Sequence, residues 1–296
     1  FSFVHGGDHA AGKALVEHPL IVAVGFTGSL AAGRTLFDLC AQRPDPIPFF
    51  GELGSINPVF VFDDAMNMRS EAIGAGWATS LTMGAGQFCT NPGVIIANAG
   101  PDLDRFIAAA TAALADVAPQ TMLTNNICAA YQSGSNAIAK AGSVETVIGA
   151  NNDGDRMTSP QLYKTDARNW MANEELQDEV FGPVGIIVTC ADDAQMQVVA
   201  KGLQGQLTCT MHMDEGDMET AKQLVPIIER KAGRLLVNGF PTGVEVADTM
   251  VHSGPYPAST NFGATSVGTM AVRRWLRPVC YQNFPDGLLP SELVAS

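Results

Sequence analysis

Cys89 is the residue whose neighbours best suit a nucleophile. It lies in GAGQFCTNP (84–92), which predicts a glycine-rich loop at the end of a helix. A thiolate is a strong soft nucleophile near neutral pH, small neighbours leave room for a substrate, and loop N–H groups could hold an oxyanion. The alternative, a buried structural cysteine, is the interpretation for the other five, Cys40, Cys128, Cys190, Cys209 and Cys280.

Two other residues could move protons. Glu52, in GELG (51–54), ends a predicted apolar strand, and ligands of α/β sheets bind at the carboxyl ends of strands. A carboxyl group with one apolar side tends to have a raised pKa, which suits a general base. His252, in VHSGPYP (251–257), could carry a proton. The alternatives are an exposed turn for Glu52 and a solvated loop for His252.

Two segments could bind a nucleotide. In FTGS (26–29), between a predicted strand and helix, Gly28 permits a close turn, Ser29 can cap the helix, and free N–H groups favour an anion. In DEVFGP (178–183), an acid could hold a ribose and the aromatic side chain could flank a ring. An ordinary strand–helix turn and a helix with an acidic end are the respective alternatives.

A metal site is not expected. His5 and His9 are spaced to ligate a metal only on a helix, with Asp8 beside them, but Gly6 and Gly7 oppose a helix. We interpret this stretch as a turn.

Composition excludes several classes of protein. Of 296 residues 17 are basic and 30 acidic, giving a net charge of −13, so a nucleic-acid coat is not expected. No apolar run approaches the roughly 18 residues of a membrane span. The cysteines form no C-x-x-C pair, which favours a reduced, cytoplasmic protein. The opening FSFV resembles a strand interior, so we expect residue 1 not to be the natural start.

The hydrophobic pattern predicts an α/β fold with a parallel sheet, because a strand–helix–strand unit opens the chain. The predicted strands are 20–25, 47–52, 93–97, 184–190, 206–213 and 234–237. The predicted helices are 30–41, 67–84, 103–117, 192–201 and 217–231. Long loops are expected after residue 240.

Four motifs, in this order, resemble the aldehyde dehydrogenase superfamily: FTGS (26–29), ELGSINP (52–58), GQFC (86–89) and EVFGP (179–183). Four more are similar to the branch of α-ketoglutaric semialdehyde (2,5-dioxovalerate) dehydrogenases and some NADP-dependent fatty aldehyde dehydrogenases: GQFCTNPG (86–93), HSGPYPAST (252–260), TSVGT (265–269) and RPVCYQNFP (277–285).

The resemblance implies an aldehyde dehydrogenase-like fold, with a parallel-sheet catalytic domain and the end of a Rossmann-like cofactor domain. Residues 1–51 would end the cofactor domain, 52–255 would form the catalytic domain, and 256–296 would be a return segment with an oligomerisation strand near 279–281. The family's front portion, with the Asn of the oxyanion hole and the Lys that meets the cofactor ribose, is missing. We therefore expect the chain to be incomplete.

The resemblance also implies catalytic roles. Cys89 would attack the aldehyde to give a thiohemiacetal and then a thioester, its N–H would form half of the oxyanion hole, and Glu52 would activate the hydrolytic water. The chain departs from common relatives at Ser55 and Ile56, where they have glycine and lysine. It also has the His252 segment where they have a Phe-Gly-Gly loop, so His252 is a further catalytic candidate.

The remaining expectations concern ligands. The cofactor-binding set is Thr27, Gly28, Ser29, Leu53, Glu179 and Phe181; Ser29 and Gly28 would meet the pyrophosphate, Glu179 the nicotinamide ribose, and Phe181 the ring. The expected cofactor is NADP or NAD, with NADP preferred. The expected substrate is a small aldehyde that carries a carboxylate, namely α-ketoglutaric semialdehyde (2,5-dioxopentanoate). Arg273, Arg274 and Arg277 are candidate cations for that carboxylate, with surface or structural arginines as the alternative.

We also expect a homo-oligomer, either a dimer or a tetramer, without nucleic-acid or membrane partners. Three alternatives stay open: a dehydrogenase of fatty or other aldehydes, a nucleotide-independent thiol acyltransferase or hydrolase using Cys89 and His252, and a non-catalytic subunit.

Overall fold

A computed structural model of the chain describes residues 1–6, 9–151 and 154–294. The helices are α1 (Ala10–Glu17), α2 (Leu30–Gln42), α3 (Asp63–Thr82), α4 (Pro101–Ala115), α5 (Asn125–Lys140), α6 (Ala167–Ala172), α7 (Asp193–Gly202) and α8 (Met218–Ile228). The strands are β1 (Val24–Thr27), β2 (Phe49–Glu52), β3 (Val59–Val61), β4 (Val94–Asn98), β5 (Gln120–Thr121), β6 (Glu145–Ile148), β7 (Met157–Thr158), β8 (Gln161–Asp166), β9 (Val184–Cys190), β10 (Gln206–His212) and β11 (Ala232–Val237).

A seven-stranded sheet forms the centre of the structure, in the order β11–β10–β3–β4–β9–β8–β6. Its neighbouring strands are parallel except for the antiparallel edge pair β6–β8. Helices α3 and α4 cover one face, and α5 to α8 cover the other, so an apolar core lies on each side. The predicted α/β fold with a mostly parallel sheet is confirmed.

The first part of the chain forms its own two-stranded parallel sheet, β1–β2, joined by α2. The predicted strand–helix–strand unit is therefore confirmed, but its first strand is shifted. It spans Val24–Thr27 instead of 20–25, because Val24 pairs with Phe49 and the register then runs on to Thr27 and Glu52. Phe26 and Thr27, which the sequence assigned to a turn, are thus strand residues.

The return segment lies beside β2. Leu53 donates its N–H to the Ala258 carbonyl at 2.8 Å, and Thr260 donates to the Gly51 carbonyl at 3.0 Å. These bonds fix the end of β2, where Glu52 lies, against a part of the chain about two hundred positions later.

The sequence missed the elements between 118 and 183. Helix α5 buries Cys128, Tyr131, Ser135 and Ile138, which recur at helical spacing, so a signal was present. Strand β8 (QLYKTD) mixes polar and apolar residues, yet most of it is buried because it lies between two other strands of the sheet. The neighbouring strands bury this strand, so its own sequence of polar and apolar residues does not predict that burial.

After Val237 the described chain contains no further strand or α-helix, as the loss of periodicity predicted. The predicted edge strand near 279–281 is not formed within this single chain, because these exposed residues have no ladder partner among the described ones. Pairing with a second subunit stays a prediction. Within the described residues, no helix is both long and apolar enough to cross a bilayer.

Trp77 connects helix α3 to the sheet. It is fully buried, its Nε1 donates to the Pro92 carbonyl at 2.7 Å, and Gly185 of β9 leaves the space that its ring fills. We expect Trp77→Ala to reduce the free energy of unfolding by about 3–5 kcal/mol, because it leaves a large cavity and an unpaired carbonyl. Chemical denaturation followed by circular dichroism measures this. Met68→Ala, on the exposed side of α3, is the control and should change stability by less than about 0.5 kcal/mol; equal effects would contradict this packing.

Candidate active site

The Cys89 loop is held in an unusual backbone conformation. After α3 ends, Gly84, Ala85 and Gly86 adopt left-handed φ angles of 58°, 57° and 65°. At Gly86 glycine is also required by space, since a Cβ there would lie 2.3 Å from the carbonyl carbon of Gly182. The loop turns sharply at this point and leaves Cys89 half-buried.

Two asparagine side chains hold the Cys89 loop in place through hydrogen bonds to its backbone. Asn57 donates from Nδ2 to the carbonyls of Cys89 and Asn91, both at 2.9 Å. Asn91 donates in turn to the carbonyls of Leu81 and Gly86. Because these hydrogen bonds hold the backbone on both sides of Cys89 in place, they also fix the position of its thiol.

Glu52 and His252 meet the thiol from two distant parts of the chain. The Cys89 Sγ lies 3.3 Å from His252 Nε2, and the same Nε2 lies 2.9 Å from Glu52 Oε1. Glu52 is 7% exposed and His252 is 2% exposed. The structure therefore brings together the three residues that the sequence singled out as catalytic candidates.

Two residues that the sequence analysis overlooked support this group. Ser266 donates its hydroxyl to Glu52 Oε2 and its N–H to the His252 carbonyl, while Thr265 accepts from the His252 N–H at 2.9 Å. Both lie in TSVGT, which carried the family resemblance but received no role. Nothing in one sequence shows that this motif folds back onto Glu52.

The proton positions follow from geometry. A ring nitrogen 2.9 Å from a carboxylate oxygen must carry a hydrogen to bond with it, so His252 is described with the proton on Nε2. This N–H can turn to Cys89 when the sulfur is a thiolate. Within the described part of the chain, His252 Nδ1 is buried and has no hydrogen-bond partner.

The electrostatics differ from expectation. Burial, followed by the negative charge of Glu52, raises the pKa of Cys89 to about 12, so the thiol is protonated in this state and needs a base. For Glu52 the expected raised pKa is wrong. Burial alone raises it, but the hydrogen bond and electrostatic interaction with the His252 ring and the hydrogen bond from Ser266 outweigh burial, and the net pKa is lowered. Glu52 is therefore a carboxylate at neutral pH.

A cleft of about 580 Å³ is lined by Gly54 and Ser55, which follow Glu52 in the chain, and by part of the predicted cofactor set. Ser29 contributes from the start of α2, where its hydroxyl accepts the Ala32 N–H at 3.4 Å, and Glu179 contributes from the opposite wall. Gly54 lies between them; a Cβ there would come within 3.0 Å of the Glu179 carboxylate. Free N–H groups of a helix end and a carboxylate are groups that a dinucleotide can use.

Glu179 has exposed surface as a residue, while its carboxyl group points toward Gly54 and the Ser55 backbone. Burial of that group, and next to it the charge of Glu52, raise its pKa to about 7, although a hydrogen bond from the Ser55 N–H opposes the rise. The residue as a whole is exposed, but its carboxyl group lies beside Gly54 and is buried there. The raised pKa therefore belongs to a carboxyl group that water reaches poorly.

The other predicted cofactor residues are placed differently. Phe181 lines a much smaller adjoining space of about 30 Å³ together with Phe88 and Glu179. Thr27 is exposed at the end of β1, and the Gly28 N–H donates to the Glu52 carbonyl at 3.1 Å. Leu53 is buried against Gly33 of α2 and does not line the larger cleft in the described structure.

Of the three candidate arginines, Arg274 reaches the site. It lines a small space with Glu52, His252 and Ser266, and its buried Nε has no hydrogen-bond partner among the described residues. Arg273 and Arg277 are exposed.

The prediction that the chain has no metal site concerned His5, Asp8 and His9, and the structure adds a second group of possible ligands. Asp8 lies outside the described residues, and so does part of the predicted turn between His5 and His9. Elsewhere, Glu52, Cys89 and His252 place possible ligand atoms within 4.8 Å of one another, although their spacing along the chain is not that of a metal-binding motif.

Two curated relatives match almost the whole chain. Alpha-ketoglutaric semialdehyde dehydrogenase 2 of Azospirillum brasilense is 48% identical over 100% of this chain and 57% of its own length. Alpha-ketoglutaric semialdehyde dehydrogenase of Acinetobacter baylyi is 44% identical over 99% of this chain and 56% of its own length. The chain thus spans a little over half the length of the curated relatives it matches.

Solved structures share the fold at low identity. The 1-pyrroline-5-carboxylate dehydrogenase of Thermus thermophilus matches with a TM-score of 0.77 and 19% identity, covering 92% of this chain and 52% of that one. An indole-3-acetaldehyde dehydrogenase solved with NAD+ matches with a TM-score of 0.76 and 21% identity, covering 90% and 53%.

A sequence profile of the aldehyde dehydrogenase family matches residues 1–254, which include Glu52, Cys89 and His252. Because this match covers most of the chain and the two curated relatives extend it to the end, the chain belongs to the aldehyde dehydrogenase family.

Proposed function

We propose that the protein oxidises an aldehyde to the carboxylic acid with a nicotinamide cofactor, and that its substrate is α-ketoglutaric semialdehyde (2,5-dioxopentanoate). The observation that carries this is the contact of one imidazole nitrogen with both the Cys89 sulfur and the Glu52 carboxylate, at 3.3 and 2.9 Å. The choice of substrate is supported by the names of the two relatives that match nearly all of this chain.

In the first step the thiol proton passes to Glu52, which is ionised and within the same group of ligand atoms. The Nε2–H of His252 then turns from the carboxylate to the new thiolate. His252 thereby stabilises the anion that burial and Glu52 oppose. The thiolate attacks the aldehyde carbon, and the Cys89 backbone N–H stabilises the oxyanion of the thiohemiacetal.

A nicotinamide cofactor, when bound, supplies the hydride acceptor that converts the thiohemiacetal to a thioester. We assign its pyrophosphate to the N-terminus of α2 at Gly28 and Ser29, its ribose to Glu179 and its ring to Phe181. Thr27 and Leu53 support this site through the backbone around β1 and β2. We propose NADP as the preferred cofactor on the sequence resemblance alone.

Hydrolysis of the thioester needs a general base. Glu52 first releases to solvent the proton that it received from the thiol. It then accepts a proton from the water that attacks the thioester carbon, and as the carbon–sulfur bond breaks this proton passes to the departing Cys89 sulfur, so that the acid leaves and the thiol is restored. Ser266 holds one carboxylate oxygen, and the His252 Nε2–H returns to the other once the sulfur is no longer a thiolate. The reaction requires no metal.

We propose that residues 1–51 form the cofactor part, residues 52–255 the catalytic part and residues 256–296 the return segment.

The exposed apolar side chains of Trp275, Leu276 and Val279 support a homo-oligomer, either a dimer or a tetramer, with the return segment at the interface. The six free cysteines support a cytoplasmic location, and the net charge of −13 opposes nucleic-acid binding. The nucleotide-independent thiol transferase is less favoured, because a cleft lined by the N-terminus of α2 and by Glu179 also contacts Gly54 and Ser55, which follow Glu52 in the chain.

Replacing the nucleophile tests the proposed reaction. In the intact protein, Cys89→Ala should lower kcat for oxidation of α-ketoglutaric semialdehyde by at least ~10³-fold, because no other thiol contacts Glu52. Absorbance of the reduced cofactor measures the rate. Cys280→Ser, at an exposed thiol outside the site, is the matched control and should keep full activity. Full activity in Cys89→Ala would remove the basis of the proposal.

Removal of the imidazole tests the role of His252. We expect His252→Gln to lower kcat by about 10²-fold, since the thiolate loses its hydrogen-bond donor. The pKa of Glu52 should also rise, because its first stabilising partner is gone, and the acid limb of the pH–rate profile should move to higher pH. Exposed His18→Gln is the control. An unchanged profile in a folded His252→Gln protein would show that His252 does not act on Glu52.

The cofactor assignment is tested at Glu179. At a pH above 7, where the Glu179 carboxyl group is ionised, Glu179→Gln should raise the dissociation constant of the nicotinamide cofactor by roughly 10-fold or more, since a charged acceptor for hydroxyl groups becomes neutral. Fluorescence titration in the absence of aldehyde measures this value. Glu175→Gln, on the nearby exposed 3₁₀ turn, should bind as the parent does. Equal affinities in the two variants would separate Glu179 from the cofactor.

A further inference from the structure

Three different donor atoms converge at the active site. The thiol sulfur of Cys89, Nε2 of His252 and a carboxylate oxygen of Glu52 all lie within 4.8 Å of one another. Among the residues that the structure describes, this is the one group of three or more such residues with ligand atoms this close together.

The spacing of these atoms fits a small tetrahedral cation. Zn²⁺ binds sulfur at about 2.3 Å and nitrogen or oxygen at about 2.0–2.2 Å, so its ligand atoms lie roughly 3.3 to 3.6 Å apart. The observed separations are 3.3 Å for sulfur to nitrogen and 2.9 Å for nitrogen to oxygen. The third separation, from sulfur to carboxylate oxygen, is within 4.8 Å, so side-chain rotations that change these separations by up to about an ångström would admit the ion.

The donor types also select among cations. Mg²⁺ and Ca²⁺ prefer oxygen ligands, whereas a thiolate with an imidazole and one carboxylate suits Zn²⁺. A thiolate and a carboxylate together carry two negative charges, which a divalent ion neutralises in this buried setting. Three protein ligands leave one tetrahedral position for water.

We propose that Cys89, His252 and Glu52 form a reversible inhibitory Zn²⁺ site, in which the metal captures the nucleophile. This inference rests on the proposed function, because it concerns regulation of the same residues. On binding, the Cys89 thiol releases its proton to solvent and the sulfur lone pair binds the metal. The imidazole proton moves from Nε2 to Nδ1, so that Nε2 can bind as well.

Bound metal blocks both half-reactions. Attack on the aldehyde needs the sulfur lone pair, and activation of the hydrolytic water needs the free Glu52 carboxylate. With both groups ligated, oxidation stops until a chelator removes the ion. A thiol reagent is excluded for the same reason, so metal binding should protect Cys89 from alkylation.

Co²⁺ is the probe that tests the site, because tetrahedral thiolate ligation gives it visible and near-ultraviolet absorption. The intact protein, without aldehyde or nucleotide, should bind one Co²⁺ per chain with a sulfur-to-metal charge-transfer band, and Zn²⁺ should displace it. Cys89→Ser should lose the band. His252→Gln and Glu52→Gln, checked for folding by circular dichroism, should each weaken binding at least 10-fold.

Cys280→Ser is the matched control, since it removes an exposed thiol and should keep the band and the affinity. Mass spectrometry after iodoacetamide treatment provides a second readout, in which Zn²⁺ should protect Cys89 but leave Cys280 reactive, and EDTA should reverse the protection. A charge-transfer band that persists in Cys89→Ser, unchanged affinity in both other variants, or alkylation of Cys89 at saturating Zn²⁺ would each overturn the inference.

The two proposals fail separately. A protein that binds Co²⁺ through Cys89 but oxidises no aldehyde would contradict the proposed function alone. An active dehydrogenase that Zn²⁺ neither binds nor inhibits would contradict the metal site alone.

Discussion

The hydrogen bond between His252 and Glu52 is the interaction on which the site depends. It joins residues 200 positions apart, and the same imidazole nitrogen also faces the Cys89 sulfur. Without this bond, Glu52 would be a buried carboxylate whose pKa rises with the loss of hydration. With it, Glu52 stays ionised and can serve as a base, while the thiol next to it stays protonated until a proton acceptor and a hydrogen-bond donor act together.

The surrounding structure keeps these three side chains at contact distance. Strand β2 ends at Glu52, and the return segment fixes that end through bonds to Ala258 and Thr260. Asn57 donates a hydrogen bond to the Cys89 carbonyl and so holds the Cys89 loop in place. Asn57 itself accepts a hydrogen bond from the Thr208 hydroxyl of β10. The two halves of the site are thus anchored on separate sheets, and their relative position depends on the network between them.

That network is polar and buried. Gln206 Oε1 accepts from the N–H groups of Ile56 and Asn57 and from the Ser55 hydroxyl, and Ser55 accepts from the Leu207 N–H. Buried polar groups are costly unless paired, so each of these bonds helps to specify one conformation for the loop between β2 and β3. This explains why Ser55 and Ile56, which depart from the common family pattern, are still compatible with an ordered site.

Local patterns in the amino-acid sequence were enough to predict the α/β class, most strands and helices of the central sheet, and Cys89, Glu52 and His252 as candidates, because apolar periodicity and glycine-rich turns are local properties. These patterns did not reveal β8, whose burial comes from its neighbours, nor Ser266, which reaches Glu52 only after the chain has folded back. They also predicted the wrong direction for the pKa shift of Glu52. These points became visible in the folded chain alone, since a pKa and a convergent set of donor atoms depend on distances between residues that lie far apart along the chain.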